Sequence, residues 1–218
     1  MSRPGKFVTF EGIDLSGKSF QALRLQESLE RSSIAVTLLR DPGATAISER
    51  VRSILLDKNH LEMTPLTELL LYEAARVQMV QQVILPALDA GHVVLCDRFF
   101  DSTTAYQGFG RQIDLDIVTA ANRIGSGGLE PDLTFFIDIP LQVAEQRRRL
   151  AGREKDRLEA AGRDFQERVR NGYLQLAQEQ AQRIVRIDGD REAELVQQDI
   201  LKIFKERVPG LVTNEVLL

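Results

Sequence analysis

The residues that most often staple a fold or hold a metal are nearly missing from this 218-residue chain, which has one cysteine, Cys96, and two histidines, His60 and His92. A single thiol excludes an internal disulfide framework and suits a reducing compartment. No Cys/His cluster has metal-ligand spacing, and no Ser/His/Asp set suggests nucleophilic catalysis, so all three residues are read as structural. No apolar run approaches the length that a membrane-spanning helix needs. The charged start from Met1 to Lys6 is followed by only a few apolar residues before Glu11, so no signal peptide is expected. Strong charge is missing as well. A formal net charge of −4 gives no general attraction for nucleic acid. The expectation is a cytoplasmic protein with a small substrate, no membrane association and no nucleic-acid partner.

What the chain does have is alternation. Short β-branched runs, 6–10, 35–39, 92–96, 133–139 and 184–187, are separated by helical patterns near 18–31, 46–56, 65–88, 115–124, 141–150, 162–182 and 192–206. This predicts βαβ units, hence an α/β fold with a five-stranded parallel sheet flanked by helices in three layers, as one domain. In such sheets ligands sit beyond the carboxyl ends of the strands. Polar residues collect there: Arg40-Asp41-Pro42-Gly43 after the second run, Asp97-Arg98-Phe99 after the third and Asp188-Gly189-Asp190 after the fifth. The helix opened by Thr64 and Pro65 carries a broader apolar surface than one stripe needs, which suggests a face for a second subunit, and a homodimer is expected.

The strongest local signal follows the first strand. Gly12-Ile13-Asp14-Leu15-Ser16-Gly17-Lys18-Ser19 matches the phosphate-binding pattern G-x-x-x-x-G-K-[ST] at a strand-to-helix transition. Two glycines let the backbone turn its N–H groups inward, Lys18 supplies a cation for β- and γ-phosphates, and the Ser19 hydroxyl is suited to Mg²⁺. The following helix adds its positive N-terminus. Asp97, at the end of the third strand, is where such a protein would place a carboxylate for Mg²⁺.

Past Asp97 the pattern becomes specific. The stretch Asp97-Arg98-Phe99-Phe100-Asp101-Ser102-Thr103-Thr104-Ala105-Tyr106-Gln107-Gly108 resembles the signature of thymidylate kinases, as do 10–14, 40–43, 72–78, 128–134 and 156–159 in the same order. The resemblance implies a P-loop kinase fold with a mobile arginine-rich lid near 147–160, and ATP with Mg²⁺ as phosphoryl donor to dTMP. It implies that Asp14 lies near the acceptor 3′-hydroxyl and that Arg98 grips its phosphate. Tyr72 would stack on the base and Arg76 would meet a base carbonyl. Ser102 and Thr103 would reach the pyrimidine, and Tyr106 would exclude a ribose 2′-hydroxyl. Arg40, Pro42 and Gln107 fall in the same acceptor motifs. The lid would supply catalytic charge from Arg149, Arg153 or Arg157.

Five positions depart from the family's pattern: Leu15 where some members carry a basic residue, Phe20 for a threonine, Asp41 for glutamate, Ala44 for glycine, and Ala75 for an acidic residue. Ala44 is not expected to adopt a positive φ cheaply. Another nucleoside-monophosphate kinase, or a nucleotide-binding regulatory protein with weakened catalysis, are the alternative readings.

Overall fold

The computed structural model describes residues 4–152 and 157–209. Strands β1 (Lys6–Glu11), β2 (Val36–Arg40), β3 (Val93–Asp97), β4 (Leu133–Asp138) and β5 (Ile184–Asp188) form one sheet. Its order is β2-β3-β1-β4-β5, and every pair is parallel. Parallel neighbours need crossovers, and the helices supply them. They are α1 (Lys18–Arg31), α2 (Ala46–Leu56), α3 (Pro65–Met79), α4 (Leu85–Asp89), α5 (Phe100–Thr103), α6 (Leu115–Ser126), α7 (Leu141–Ala151), α8 (Arg163–Glu179) and α9 (Ala193–Arg207).

The two-residue period of β1 sorts its side chains between the layers. Val8 and Phe10 join Leu25 and Leu29 of α1, Phe135 and Ile137 of β4, and Ile200 and Phe204 of α9 in one buried cluster. Phe7 points the other way, into a cluster with Met79, Ile84, Leu88, Val94 and Phe99. Thr9 and Glu11 share the Phe7 face by the same period, and both are fully buried. Thr9 is satisfied by the Thr134 hydroxyl at 2.7 Å, while Glu11 is delivered to the rim where the site forms.

Two helical segments differ from the sequence reading. The single helix expected over 65–88 is α3 and α4 joined by a π-helical stretch, Val80–Ile84. Pro86 offers no N–H to the preceding turn, so the helix cannot pass through it with regular α bonding. The second is α5, which continues as a π-helical run, Thr104–Gly110, where no helix was expected. Serine, threonine and glycine are poor helix formers and hide it from pattern reading. Packing decides instead: α8 lies against this run, so closely that a Cβ on Gly110 would come within 2.6 Å of the Phe165 ring.

Phe135 is wholly buried at the centre of the sheet, tilted against Phe10 with ring centroids 5.3 Å apart. Replacing it with alanine should cost about 3–5 kcal/mol, read as a lowered urea midpoint at unchanged slope.

Candidate active site

β1 ends in a tight loop whose shape depends on glycine. A Cβ on Gly12 would lie 2.4 Å from the Ile137 carbonyl oxygen, so β1 can approach β4 there only without a side chain. Gly17, at φ 102°, turns the chain into α1. The buried Lys18 ammonium donates to the Ile13 carbonyl at 2.9 Å. Its burial, reinforced by the charge of Arg98 and opposed by Asp97 and Asp14, lowers its pKa to about 8. Ser19 donates from its hydroxyl to Asp97 Oδ2, and Asp97 Oδ1 is buried with no hydrogen-bond partner. A hydroxyl beside a carboxylate with an unused oxygen is a donor set that suits Mg²⁺, which takes few protein ligands and keeps water and phosphate for the rest.

Pairing of β1 with β3 sets Phe10 against Asp97, so the phosphate loop and Arg98 leave adjacent strands side by side. The Arg98 backbone is left-handed, at φ 73°, a conformation that costs energy in a non-glycine residue and is common at functional sites. It aims the side chain back across the loop. Nη1 donates to the Gly12 carbonyl (2.9 Å), Ser102 Oγ (3.1 Å) and Tyr173 Oη (3.2 Å), and Nη2 donates to Asp14 (2.7 Å) and Tyr106 Oη (3.2 Å). Tyr106 in turn donates to Asp14 Oδ2 at 3.0 Å. Burial alone would raise the Asp14 pKa, but the charges of Arg98 and Lys18 and the Tyr106 bond hold it at about 2.

Glu11 lies beneath this set. Its carboxylate accepts from the Phe99 N–H (2.7 Å), Ser102 Oγ (2.6 Å) and Tyr173 Oη (3.0 Å). Burial first, and the charge of Asp101 second, raise its pKa to about 7.

Beyond Arg98 opens a pocket with a cavity of about 90 Å³. It is lined by Asp14, Pro42, Tyr72, Arg76, Arg98, Ser102, Thr103, Tyr106 and Gln107, all singled out in the sequence, and by Asp41, Arg52, Leu56, Phe99 and Leu158, which were not assigned a place there. Tyr72 is half-buried. Arg40 faces a neighbouring cleft with Ser19, Ala44 and Asp97, where its exposed guanidinium pairs with Glu49 at 3.1 Å. Ala44 does adopt a positive φ, 67°, and its N–H donates to Glu49 Oε1 at 3.1 Å, which helps hold that conformation. Asp41 precedes a cis proline, Pro42, and its N–H donates to the Asp97 carbonyl at 3.0 Å.

A family model described as thymidylate kinase matches residues 10–200. The chain belongs to the thymidylate kinase family. It is 46% identical over 202 residues to a thymidylate kinase of Pelotomaculum thermopropionicum, covering 93% of this chain and 94% of that one. It is 44% identical over 210 residues to one of Geobacter sulfurreducens, covering 94% and 99%. Among solved structures, a thymidylate kinase of Ehrlichia chaffeensis superposes with a TM-score of 0.76 at 32% identity, covering 92% of this chain and 98% of that one. The five-stranded parallel sheet with flanking helices is thus the P-loop kinase fold, and the family is one of ATP-dependent phosphotransferases.

Within this family member, the arginines near the loop are arranged in a way that spacing could not reveal. Arg147 of α7 donates from Nη1 to the carbonyls of Leu15 (3.1 Å) and Ser16 (3.2 Å), and from Nη2 to the Gly189 carbonyl at 2.8 Å. Arg149 is exposed near the end of α7. Arg157 pairs with buried Glu68 at 2.6 Å and donates to the Leu55 carbonyl at 2.9 Å. Arg153 lies outside the described residues. Phe20 is 51% exposed, with the Arg24 guanidinium 5.7 Å from its ring centre, and lines neither the pocket beyond Arg98 nor the cleft at Ser19.

Arg52, Glu11 and Tyr173 are the polar residues that sequence reasoning missed. An arginine within the first two turns of the helix after Arg40-Asp41-Pro42 is a usable signal for the first, and a glutamate ending an apolar strand for the second. Tyr173, mid-helix between Gly172 and Leu174, carries none. Glu11 generates a stability prediction. Its raised pKa means that between pH 4.5 and 7 the folded protein keeps a proton that the unfolded chain has released, so this group lowers stability as pH rises through that window. Glu11→Gln should remove that slope, measured as the difference in urea midpoints between variant and wild type at pH 4.5, 5.5 and 7. A constant difference would mean that folding leaves the Glu11 pKa where it is in the unfolded chain.

Proposed function

We propose that this enzyme phosphorylates dTMP with ATP and Mg²⁺, acting as a cytoplasmic homodimer. The observation that carries the reading is the junction at Arg98. One guanidinium is bonded both to the phosphate loop and to the hydroxyls of Ser102 and Tyr106 in the acceptor pocket, so a donor and an acceptor phosphate would meet on either side of it.

The chemistry asks little of covalent catalysis. An oxygen of the dTMP phosphate attacks the γ-phosphorus in line as the bond to the β-phosphate oxygen breaks, giving dTDP and ADP. Lys18 and the loop N–H groups from Gly12 to Ser19 bind the donor phosphates, and Arg98 with Arg52 binds the acceptor phosphate by charge-assisted hydrogen bonds. Ser19 and Asp97 would hold Mg²⁺, which would neutralise charge on the transferring phosphates. Tyr72 stacks on the thymine, Arg76 donates to a base carbonyl, and Ser102, Thr103 and Gln107 complete the polar wall. Asp14 accepts from the 3′-hydroxyl, while Tyr106 closes the space a 2′-hydroxyl would need. Arg40 borders the metal side, and Pro42 shapes the pocket floor. Charge from α7 and the lid, Arg147 first and Arg149 or Arg153 with it, completes the phosphate cage. For the homodimer, support comes from α2, α3 and α6, which pack side by side. They leave Ile47, Ile54, Leu66, Leu70, Val77, Ile117 and Ile124 exposed, at spacings that put each helix's set on one face.

A panel of dTMP, dUMP, UMP, AMP, CMP and GMP with MgATP tests the acceptor. dTMP should give the highest kcat/KM, and preferred turnover of AMP or GMP would overturn the assignment.

Lys18 adds a pH test. Above its pKa of about 8 the free enzyme loses the cation that the phosphates need, so the Kd for MgATP should weaken by up to about tenfold per pH unit there and level off below. Titration calorimetry from pH 7 to 9.5 reads this directly, and in Lys18→Arg, whose guanidinium does not titrate in this range, the rise should disappear.

A further inference from the structure

Arg76 is 1% exposed, yet two carboxylates converge on it. Its Nε donates to Asp41 Oδ2 at 2.6 Å, Nη1 to Glu73 Oε1 at 2.5 Å, and Nη2 to Thr103 Oγ1 at 2.8 Å. The Phe99 ring lies 5.4 Å from the guanidinium carbon and supports its face. These bonds use three of five N–H groups and leave a second one on each terminal nitrogen for the pocket that Arg76 lines. Direction is therefore everything here. A buried guanidinium rotated about its stem would present a different edge, and the bond to Nη1 is what fixes the rotation on the Glu73 side.

Glu73 reaches that position through a notch. It is 4% exposed, and its Oε2 has no hydrogen-bond partner. The reason lies on the neighbouring helix: a Cβ on Gly125 of α6 would lie 1.7 Å from Glu73 Oε2 and 2.8 Å from its carboxyl carbon. The carboxylate thus occupies the volume of the side chain that residue 125 lacks. Gly125 has no turn or positive φ to explain it, and a glycine inside a helix weakens it relative to alanine. The residue directly before Arg76, Ala75, offers no acceptor, so Glu73 one turn earlier on the same face is the helix's own source of negative charge for Arg76.

We propose that Glu73, seated in the Gly125 notch, is a positioning residue for base selection: it orients Arg76 so that its free N–H groups meet a carbonyl edge of the acceptor base. Arginine donates only. An oriented Arg76 therefore favours a base with a carbonyl at that edge and penalises one with an amino group, separating thymine and uracil from cytosine. This rests on the dTMP reading above and adds what enforces it.

The test is a double-mutant cycle with Glu73→Ala and Gly125→Ala, reading KM for dTMP, KM for ATP and the dTMP-to-dCMP ratio of kcat/KM. Each single variant should raise KM for dTMP roughly tenfold, the worth of one misdirected charge-assisted hydrogen bond, and should narrow the dTMP-to-dCMP ratio while KM for ATP holds. In the Glu73→Ala background, Gly125→Ala should add nothing, because no carboxylate remains to be displaced. Glu73→Gln, which keeps shape and an acceptor but gives up charge, guards against a folding defect and should raise KM for dTMP a few-fold. Equal effects of Gly125→Ala in both backgrounds, a parallel rise in KM for ATP, or no change in KM for dTMP with Glu73→Ala and Glu73→Gln would each overturn the proposal. Wild-type enzyme that does not turn over dTMP would instead overturn the acceptor reading itself, and this proposal with it.

Discussion

The site depends on charge neutralisation at the carboxyl end of β1, where Asp14 and Asp97 meet Lys18 and Arg98. Removing one partner from such a set strands a buried charge and is strongly destabilising. The Arg98–Asp14 pair, at 2.7 Å, is the member that also spans the molecule. Through Arg98 the loop after β1, the α5 segment and α8 are tied at single points: Gly12, Ser102 and Tyr173. Glu11 repeats the tie from below, bonding Phe99, Ser102 and Tyr173. A rigid frame of this sort holds donors in place before any ligand arrives, and preorganised donors are what electrostatic catalysis requires.

The pocket beyond Arg98 is built where helical regularity fails. Tyr106 and Gln107 sit in the π-helical run after α5, and wider turns of this kind gather at functional sites because they redirect side chains that an α-helix would place elsewhere. In this chain the redirection lets Tyr106 reach Asp14 while Gln107, the next residue, donates to Glu68 at 2.9 Å on the far wall. Glu68 also takes Arg111 and Arg157, so the wall that shapes the pocket and the segment that follows α7 share one carboxylate.

The fold was largely legible because its signals are strong ones. All five strands fall within two residues of the pattern reading at each end, since buried parallel strands are short apolar runs with sharp edges. The phosphate loop and the Asp97–Gln107 stretch were legible as ordered motifs. Tertiary partnerships were not. Tyr173 reaches Arg98 from 75 positions away, and the left-handed backbone at Ala44 depends on Glu49 in α2. The helix over 100–110 was invisible because its own residues disfavour it and the packing of α8 imposes it.

Leu15 gives the phosphate loop no cation, and Arg147 brings a guanidinium to the loop from α7. Arg147 binds the loop by its carbonyls, those of Leu15 and Ser16. In a trans peptide the C=O and the following N–H point in opposite directions. Drawing the Ser16 carbonyl toward α7 therefore turns the Gly17 N–H the other way. The same guanidinium is fixed from behind by the Gly189 carbonyl after β5, so the loop's peptide planes are set by α7 and the sheet edge together. A lysine or arginine at position 15 would add charge but would not constrain those planes. Arg147 does both from a separate helix, which makes the shape of the phosphate cradle a property of the folded domain rather than of the loop sequence.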